Sequence, residues 1–230
     1  LQRMILCEAV AEGTVVSTSF QTKGRGQLTN VWEAEEGKNI LCSILLRPTA
    51  LPIKSQFLIS QAISVAIVDV LNTFAEDFSI KWPNDIYYKE EKIAGILIEN
   101  TLSSKGIDSC IIGLGLNVNQ QSFKSDAPNP ISLHNIIGKE TSVSALLESI
   151  LERFNKVYEL VYTNVALLRE NYFNNLLFCG QMRRYSDSEG EFIGKIVDVE
   201  NDGHLIIEDM EGGKRRYAFK EVAFQLGVRS

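Results

Sequence analysis

The longest apolar stretch of the chain, Phe57–Leu71, is interrupted by Ser60, Gln61, Ser64 and Asp69, and so suits a buried helix rather than a bilayer span. Burying such a helix takes a sizeable core, and the composition can supply one. Of 230 residues, 45% are apolar and 23% charged, with no low-complexity tract or internal repeat. At this length one main core with a small appendix is expected. Pro52 can open the helix, which is predicted to run to about Ala75 with Ile63, Ala66, Val70 and Phe74 facing inward.

The flanking segments alternate in kind. Residues 1–12 read as the remainder of a helix ended by Gly13, and a β-rich run at 14–22 follows, then a polar loop from Lys23 to about Lys38. Strands are predicted at 40–46, 78–81, 85–88, 92–100 and 109–117, and a loop at 120–130. Val143, Leu146, Leu147, Ile150, Phe154, Val157, Tyr158 and Val161 recur at helical spacing, which predicts an amphipathic helix over 142–162; a second helix is predicted over 165–177. After Cys179 and Gly180 the texture changes to short strands, at 181–185, 192–200, 205–209 and 214–219. Their turns carry Gly190, Asn201-Asp-Gly203 and Gly212-Gly213. The expected organisation is therefore a main domain over 1–178 and a small β-barrel over 179–230.

Several functions are excluded or disfavoured. A formal charge of −6 argues against a surface that neutralises a phosphate backbone, and no helix-turn-helix segment precedes the main domain, so no DNA-reading module is expected. No signal peptide is visible. Cys7, Cys42, Cys110 and Cys179 are scattered without zinc-site spacing and read as reduced packing residues of a cytoplasmic protein. Only His134 and His204 are present, His204 expected to be exposed after a turn, which leaves no histidine triad or metal cluster. Glycine-rich nucleotide loops and nucleophile elbows are absent. The chain opens at Leu1 with its first methionine at Met4, so residues are expected to be missing at the front.

Chemistry must then rest on lysine, arginine, asparagine and backbone groups, and four segments place these beside small residues. In residues 21–32, Gly24 and Gly26 flank Arg25, which lets the backbone wrap an anion while the guanidinium meets it; the same stretch also reads as a solvated basic turn. Residues 81–86 (K-W-P-N-D-I) deliver Lys81, an aromatic plane, a rigid proline, Asn84 and Asp85 at a strand end; otherwise Trp82 is core and Asn84-Asp85 cap a turn. Residues 92–99 (K-I-A-G-I-L-I-E) put Lys92 at the mouth of an apolar strand with room at Gly95, unless Lys92 only snorkels there. Residues 113–119 (G-L-G-L-N-V-N) end an apolar strand at Asn117, and equally read as a tightly packed central strand.

In order and spacing these segments resemble the catalytic domain of the biotin-protein ligases, also called biotin-[acetyl-CoA-carboxylase] ligases, in the short form without an N-terminal DNA-binding domain. The resemblance runs from about Thr14 to Leu226. It implies an α+β fold: a mixed β-sheet flanked by helices, as in class II aminoacyl-tRNA synthetases, with a C-terminal SH3-like barrel. It implies that biotin and ATP, with Mg²⁺ carried on the phosphates, give biotinyl-5'-AMP, and that biotin then passes to a lysine of a biotin carboxyl carrier domain of a carboxylase. Lys92 and Arg25 match the catalytic positions. Gln21, Gly24, Arg25, Gly26, Gln27, Lys92, Gly95 and Gly115 match biotin-binding positions, and Asn30, Trp32, Lys81, Asn84 and Asn117 nucleotide-binding ones. A homodimer is compatible with the resemblance, and no membrane partner is implied. Gln27 and Thr29 stand where the family's loop usually carries arginine and glycine, and Gln225 where an arginine is often found. The alternatives are a lipoate- or octanoate-transferring relative, and a non-catalytic protein that holds biotin or biotinyl-AMP.

Overall fold

The computed structural model describes residues 1–7, 9–22, 32–104, 106–124 and 129–227. Six strands form the main sheet: β1 (Val15–Ser17), β2 (Ile40–Leu46), β3 (Phe78–Lys81), β4 (Asp85–Tyr88), β5 (Glu91–Ser103) and β6 (Gly106–Leu116). They lie in the order β1-β2-β6-β5-β4-β3. All of these pairings are antiparallel, not mixed as expected. Hairpins cause this, because β3 to β6 follow one another through tight turns, and a tight turn delivers an antiparallel neighbour.

The long connection between β2 and β3 holds α2 (Phe57–Leu71), laid across one face of the sheet. Ile59, Ala62, Ile63, Val65, Ala66, Ile67, Val68 and Leu71 are all fully buried. Together with the 3-10 turn that precedes it, α2 forms a stretch, Ile53–Leu71, that is long and apolar enough to cross a bilayer, but here α2 is enclosed by the sheet, α4 (Val143–Tyr158) and α6 (Val165–Asn174). It stops at Leu71, where Asn72 Oδ1 accepts the Phe78 N–H at 3.2 Å, so Phe74 lies past its end and is exposed, contrary to expectation. On α4 the predicted stripe is borne out, with Leu146, Ile150, Phe154 and Val157 buried, and Arg153 grips Asp69 of α2 through Nε and Nη2 at 2.8 and 2.6 Å. The helix predicted to 162 breaks into α4 and α5 (Leu160–Thr163). The next ends at Asn174, not 177, because the chain there pairs with the sheet edge: Ile80 N–H donates to Asn175 O and Leu177 N–H to Ile80 O. Two further short helices are α1 (Gln2–Cys7) and α3 (Leu133–Ile137).

The C-terminal strands β7 (Arg183–Asp187), β8 (Gly190–Val199), β9 (Leu205–Asp209), β10 (Lys214–Tyr217) and β11 (Ala223–Phe224) form a second antiparallel sheet, ordered β10-β9-β8-β7-β11. Among the described residues no pairing closes β10 onto β11, so the expected barrel is found as an open sheet. One continuous core joins α2 to Tyr185, Ile196, Leu205 and Ile207 of this second sheet. Cys42 and Cys110 are buried as expected, which pushes both thiols up to about 12; Cys7 is exposed instead. His204 is half-buried against Asp202 rather than freely exposed.

The turn from β3 to β4, which contains the cis Trp82–Pro83 bond, is stapled from three sides. Trp82 Nε1 donates to Gly203 O at 2.9 Å, and Asn84 Nδ2 donates to Ser60 Oγ of α2 at 3.0 Å. The fully buried Tyr172 of α6 donates its hydroxyl to Pro83 O at 2.7 Å. Gly203 has φ +95°, and a Cβ there would come within 2.9 Å of the Phe57 ring, so glycine is required. Tyr172→Phe leaves the Pro83 carbonyl unpaired and is expected to lower the unfolding free energy by about 1–3 kcal/mol in urea titrations; a loss under about 0.5 kcal/mol would show that the staple contributes little.

Candidate functional site

Helix α2 occupies one face of the sheet, and the residues with chemistry lie on the other. The pairing registers place Gly95, Gly115 and Leu41 in one row across β5, β6 and β2, and Leu97, Gly113 and Ser43 in the next. Their strand neighbours Ile96, Leu114 and Cys42 point into the core under α2. The glycines therefore leave a depression in the free face, and the Trp32 indole lies in it. A Cβ on Gly115 would be 2.6 Å from Trp32 Cε2, and one on Gly95 would be 3.0 Å from Cζ3. Trp32 Nε1 is buried and has no hydrogen-bond partner among the described residues.

Beside this floor stands a cluster of charge. β3 and β4 pair Lys81 with Asp85, and β4 pairs Tyr87 with Lys92 of β5. Lys92 Nζ is 2.6 Å from Asp85 Oδ2, with each side chain a little over a quarter exposed. The Lys92 stem runs along the floor, its Cε 3.6 Å from the Cβ position of Gly95. Lys81 Nζ lies 4.9 Å from the Phe224 ring centroid and 5.8 Å from that of Tyr87. Burial lowers the Lys81 pKa; the nearby Asp85 opposes the shift and Lys92 adds to it. Burial and then the Asp85 charge push the Tyr87 hydroxyl up. Among the described residues, Asp85 thus pairs with Lys92 and reaches Lys81 only through its charge, which leaves a half-buried group of two lysines and one carboxylate that an incoming anion would complete.

Asn117 closes the recess at the end of β6. Its N–H donates to Ile93 O at 2.9 Å and its Nδ2 to Ile131 O at 3.1 Å, while its buried Oδ1 has no partner among the described residues. Segment 129–131 pairs with Lys92 through Lys92 N–H to Asn129 O at 2.7 Å and Ile131 N–H to Lys92 O at 3.0 Å. The structure therefore brings together Trp32, Lys81, Lys92, Gly95, Gly115 and Asn117. Asn84 is engaged with α2 instead, and Gln21 is exposed beyond β1. Gly24, Arg25, Gly26, Gln27 and Asn30 lie outside the described residues. Sequence reading named Asp85 in the 81–86 segment but gave it no role in the site, and it missed Phe224 as a neighbour of Lys81. Asp85 was legible in principle, since a four-residue spacing across a two-strand turn sets it opposite Lys81.

Two other features do not match this chemistry. Concavities lined by Gln61, Arg169, Tyr172 and Asp198, and by Lys54, Arg169, Glu200 and Asp202, lie between α2, α6 and the second sheet and contain none of the cluster. Glu200, Asp202 and His204 gather ligand-type atoms within 4.8 Å of one another, but Arg216 takes both carboxylates at 2.8 and 3.0 Å.

Comparison with known proteins gives consistent results. The model of the Biotin/lipoate A/B protein ligase family matches residues 2–117. A bifunctional ligase/repressor BirA of Bacillus spizizenii is 35% identical over 217 residues, covering 90% of this chain. The chain spans 65% of that relative's length, a little under two thirds. A biotin–[acetyl-CoA-carboxylase] ligase of Mycobacterium tuberculosis is 24% identical over 203 residues, covering 86% of this chain and 74% of that protein. Among solved structures, biotin protein ligase from Aquifex aeolicus in complex with biotin and ATP superimposes with a TM-score of 0.79 at 26% identity, covering 98% of this chain and 94% of that one.

Two outcomes follow from the geometry. Gly115→Ala is expected to lift the indole off the floor and shift Trp32 emission to the red, read in a Trp82→Phe background; unchanged emission would place the ring elsewhere. A Lys81 pKa held below its unfolded value means that the charged lysine opposes folding, so stability from this residue rises as pH is raised through the folded pKa towards the ordinary lysine value. Lys81→Met should remove that rise, seen as a flatter urea stability profile than wild type as the pH approaches the ordinary lysine pKa from below.

Proposed function

The chain belongs to the Biotin/lipoate A/B protein ligase family, and on that premise we propose that it is an ATP-dependent biotin-protein ligase of the cytoplasm. It joins biotin to ATP as biotinyl-5'-AMP and then passes the biotinyl group to a lysine of a carboxylase's biotin carboxyl carrier domain. The observation that carries this reading is the Lys92 side chain, which lies along a glycine floor, paired with the Asp85 carboxylate and with a second, desolvated lysine nearby. The relatives' names and the Aquifex complex with biotin and ATP support the choice of substrates.

Adenylation brings two anions together: an oxygen of the biotin carboxylate attacks the α-phosphorus and pyrophosphate leaves. Lys92, released from Asp85, bridges the carboxylate and the phosphoryl group, and Lys81 recovers on the phosphates the solvation that burial removed. Gly95 and Gly115 leave a floor that the Trp32 indole covers here; the ring system takes that floor when the indole moves aside to the nucleotide side, with Asn117 at the base side. Arg25 supplies further positive charge, and Gln21, Gly24, Gly26, Gln27 and Asn30 complete the loop over the adenylate; for these the resemblance alone is the support. Asn84 supports the turn that carries Lys81 and Asp85. In the second step the carrier amine attacks the acyl carbon and AMP departs, while the covered recess keeps water from the anhydride. Mg²⁺ belongs on the ATP phosphates. Asp85, already paired with Lys92, is the carboxylate facing the recess and does not make a protein-held metal site, so no step is routed through a metal. The C-terminal strands, from 179 onward, we take as the counterpart of the family's SH3-like domain, supported by their turn spacing and five-strand order.

The family name also covers lipoate ligases, so the deciding experiment compares the two acids. Biotin is expected to drive pyrophosphate exchange into ATP and lipoate is not, and a carrier domain incubated with ATP and biotin should gain one biotinyl mass. Exchange with lipoate alone, or an unmodified carrier, would overturn the reading. Lys92→Ala should cut adenylation about 10²–10³-fold while changing stability by no more than about 1 kcal/mol.

A further inference from the structure

The C-terminal segment returns to the lysines by a route that the reaction outlined above does not use. Gly227, three residues past β11, is bound at both its polar backbone groups. Its N–H donates to Glu90 Oε2, and its carbonyl accepts from Asn129 Nδ2 at 3.0 Å. These two partners flank Lys92. Glu90 sits in the turn that leads into β5, and the Asn129 carbonyl receives the Lys92 N–H at 2.7 Å. Asn129 has φ +50°, a left-handed conformation that asparagine tolerates better than most residues. Glu90 also lies 3.8 Å from Arg183 of β7, whose guanidinium is 4.1 Å from the Phe178 ring centroid. A Cβ on Gly227 would be 3.0 Å from the Glu90 carboxylate. From the same strand, Phe224 stands beside Lys81.

We propose that Glu90, Asn129 and the Gly227 backbone form a clasp that fixes the main chain of Lys92, so that the second sheet sets the reach of the lysine into the recess. Glu90 and Asn129 are positioning residues: they act through the Lys92 backbone and touch no substrate. The proposal rests on the reading that Lys92 meets the reacting anions. A flexible four-carbon stem delivers its charge to one place only if its root is fixed, and a misplacement near 1 Å is worth about 100-fold in rate.

The test uses the full chain and two readouts. In hydrogen exchange followed by mass spectrometry on the unliganded protein, Glu90→Ala and Asn129→Ala are expected to speed exchange of the Lys92 and Ile131 amides about 10-fold while leaving α2 unchanged. In biotin-dependent pyrophosphate exchange the same variants should lower kcat about 10-fold or more with little change in KM for ATP, and Glu90→Gln, which keeps the acceptor oxygen, should recover most of the loss. Unchanged amide exchange, or faster exchange with wild-type kcat, would overturn the proposal, as would a Glu90→Gln no better than Glu90→Ala. If Glu90→Ala does not fold, Gly227→Ala, which crowds the same carboxylate, gives the milder form of the same comparison. Wild-type protein inactive with biotin would sink the ligase reading, while the amide exchange would still decide whether the clasp exists.

Discussion

Burial of α2 on all sides is the constraint from which the rest of the molecule follows. A helix whose residues are apolar nearly all round cannot rest on a sheet alone, so α4 and α6 cover its flanks and the second sheet meets its N-terminal end. This commits one whole face of the six-stranded sheet to the core. Any ligand must then use the opposite face, and the strand alternation decides what it finds there. The residues one step along from the core-facing isoleucines and leucines are Gly95, Gly113 and Gly115, which turn an otherwise continuous surface into a recess.

The electrostatics depend on the same register. Lys81 and Asp85 face each other because the β3–β4 turn is short, and Lys92 joins them because β5 continues the meander with a bulge near Tyr87. The turn itself is held by three unlike partners: Gly203 of the second sheet, Ser60 of α2 and Tyr172 of α6. Among the described residues the cluster holds two cations and one anion and is electrostatically unsaturated, and holding it rigid is what lets it favour a bound anion over water. Flexible side chains alone would relax around the imbalance.

Much of this was legible in the sequence, and the divisions are physical. β2, β3 and β4 match their predicted limits because β-branched and aromatic runs are bounded there by proline, turn residues or charge. The helix ends were less legible. Phe74 and the stretch after Asn174 carry a helical pattern, yet tertiary pairing with Phe78 and Ile80 ends each helix early. The mixed sheet was expected from resemblance, whereas the hairpin spacing of β3 to β6 already favoured antiparallel pairing. In the site, Lys81, Lys92, Gly95, Gly115, Trp32 and Asn117 lie near one another on the free face of the sheet. Asn84 does not: the environment of an asparagine in a turn is set by whichever helix lies beneath it, and no local pattern encodes that. Glu90 and Asn129 were invisible for the same reason, since their partner, Gly227, is far along the chain.

The hydrogen bond from Trp82 to the Gly203 carbonyl has a wider consequence. With it, the segment that reads as a separable appendage is wired into the turn that presents Lys81 and Asp85. Cutting the chain at the junction near Cys179 would strip the indole of its acceptor, bare the ring that Phe219 covers and open the shared core at Tyr185 and Leu205. Evolution or engineering can therefore vary the other turns of the small sheet, but the β8–β9 turn that carries Gly203, and the sheet behind it, are inherited together with the larger one.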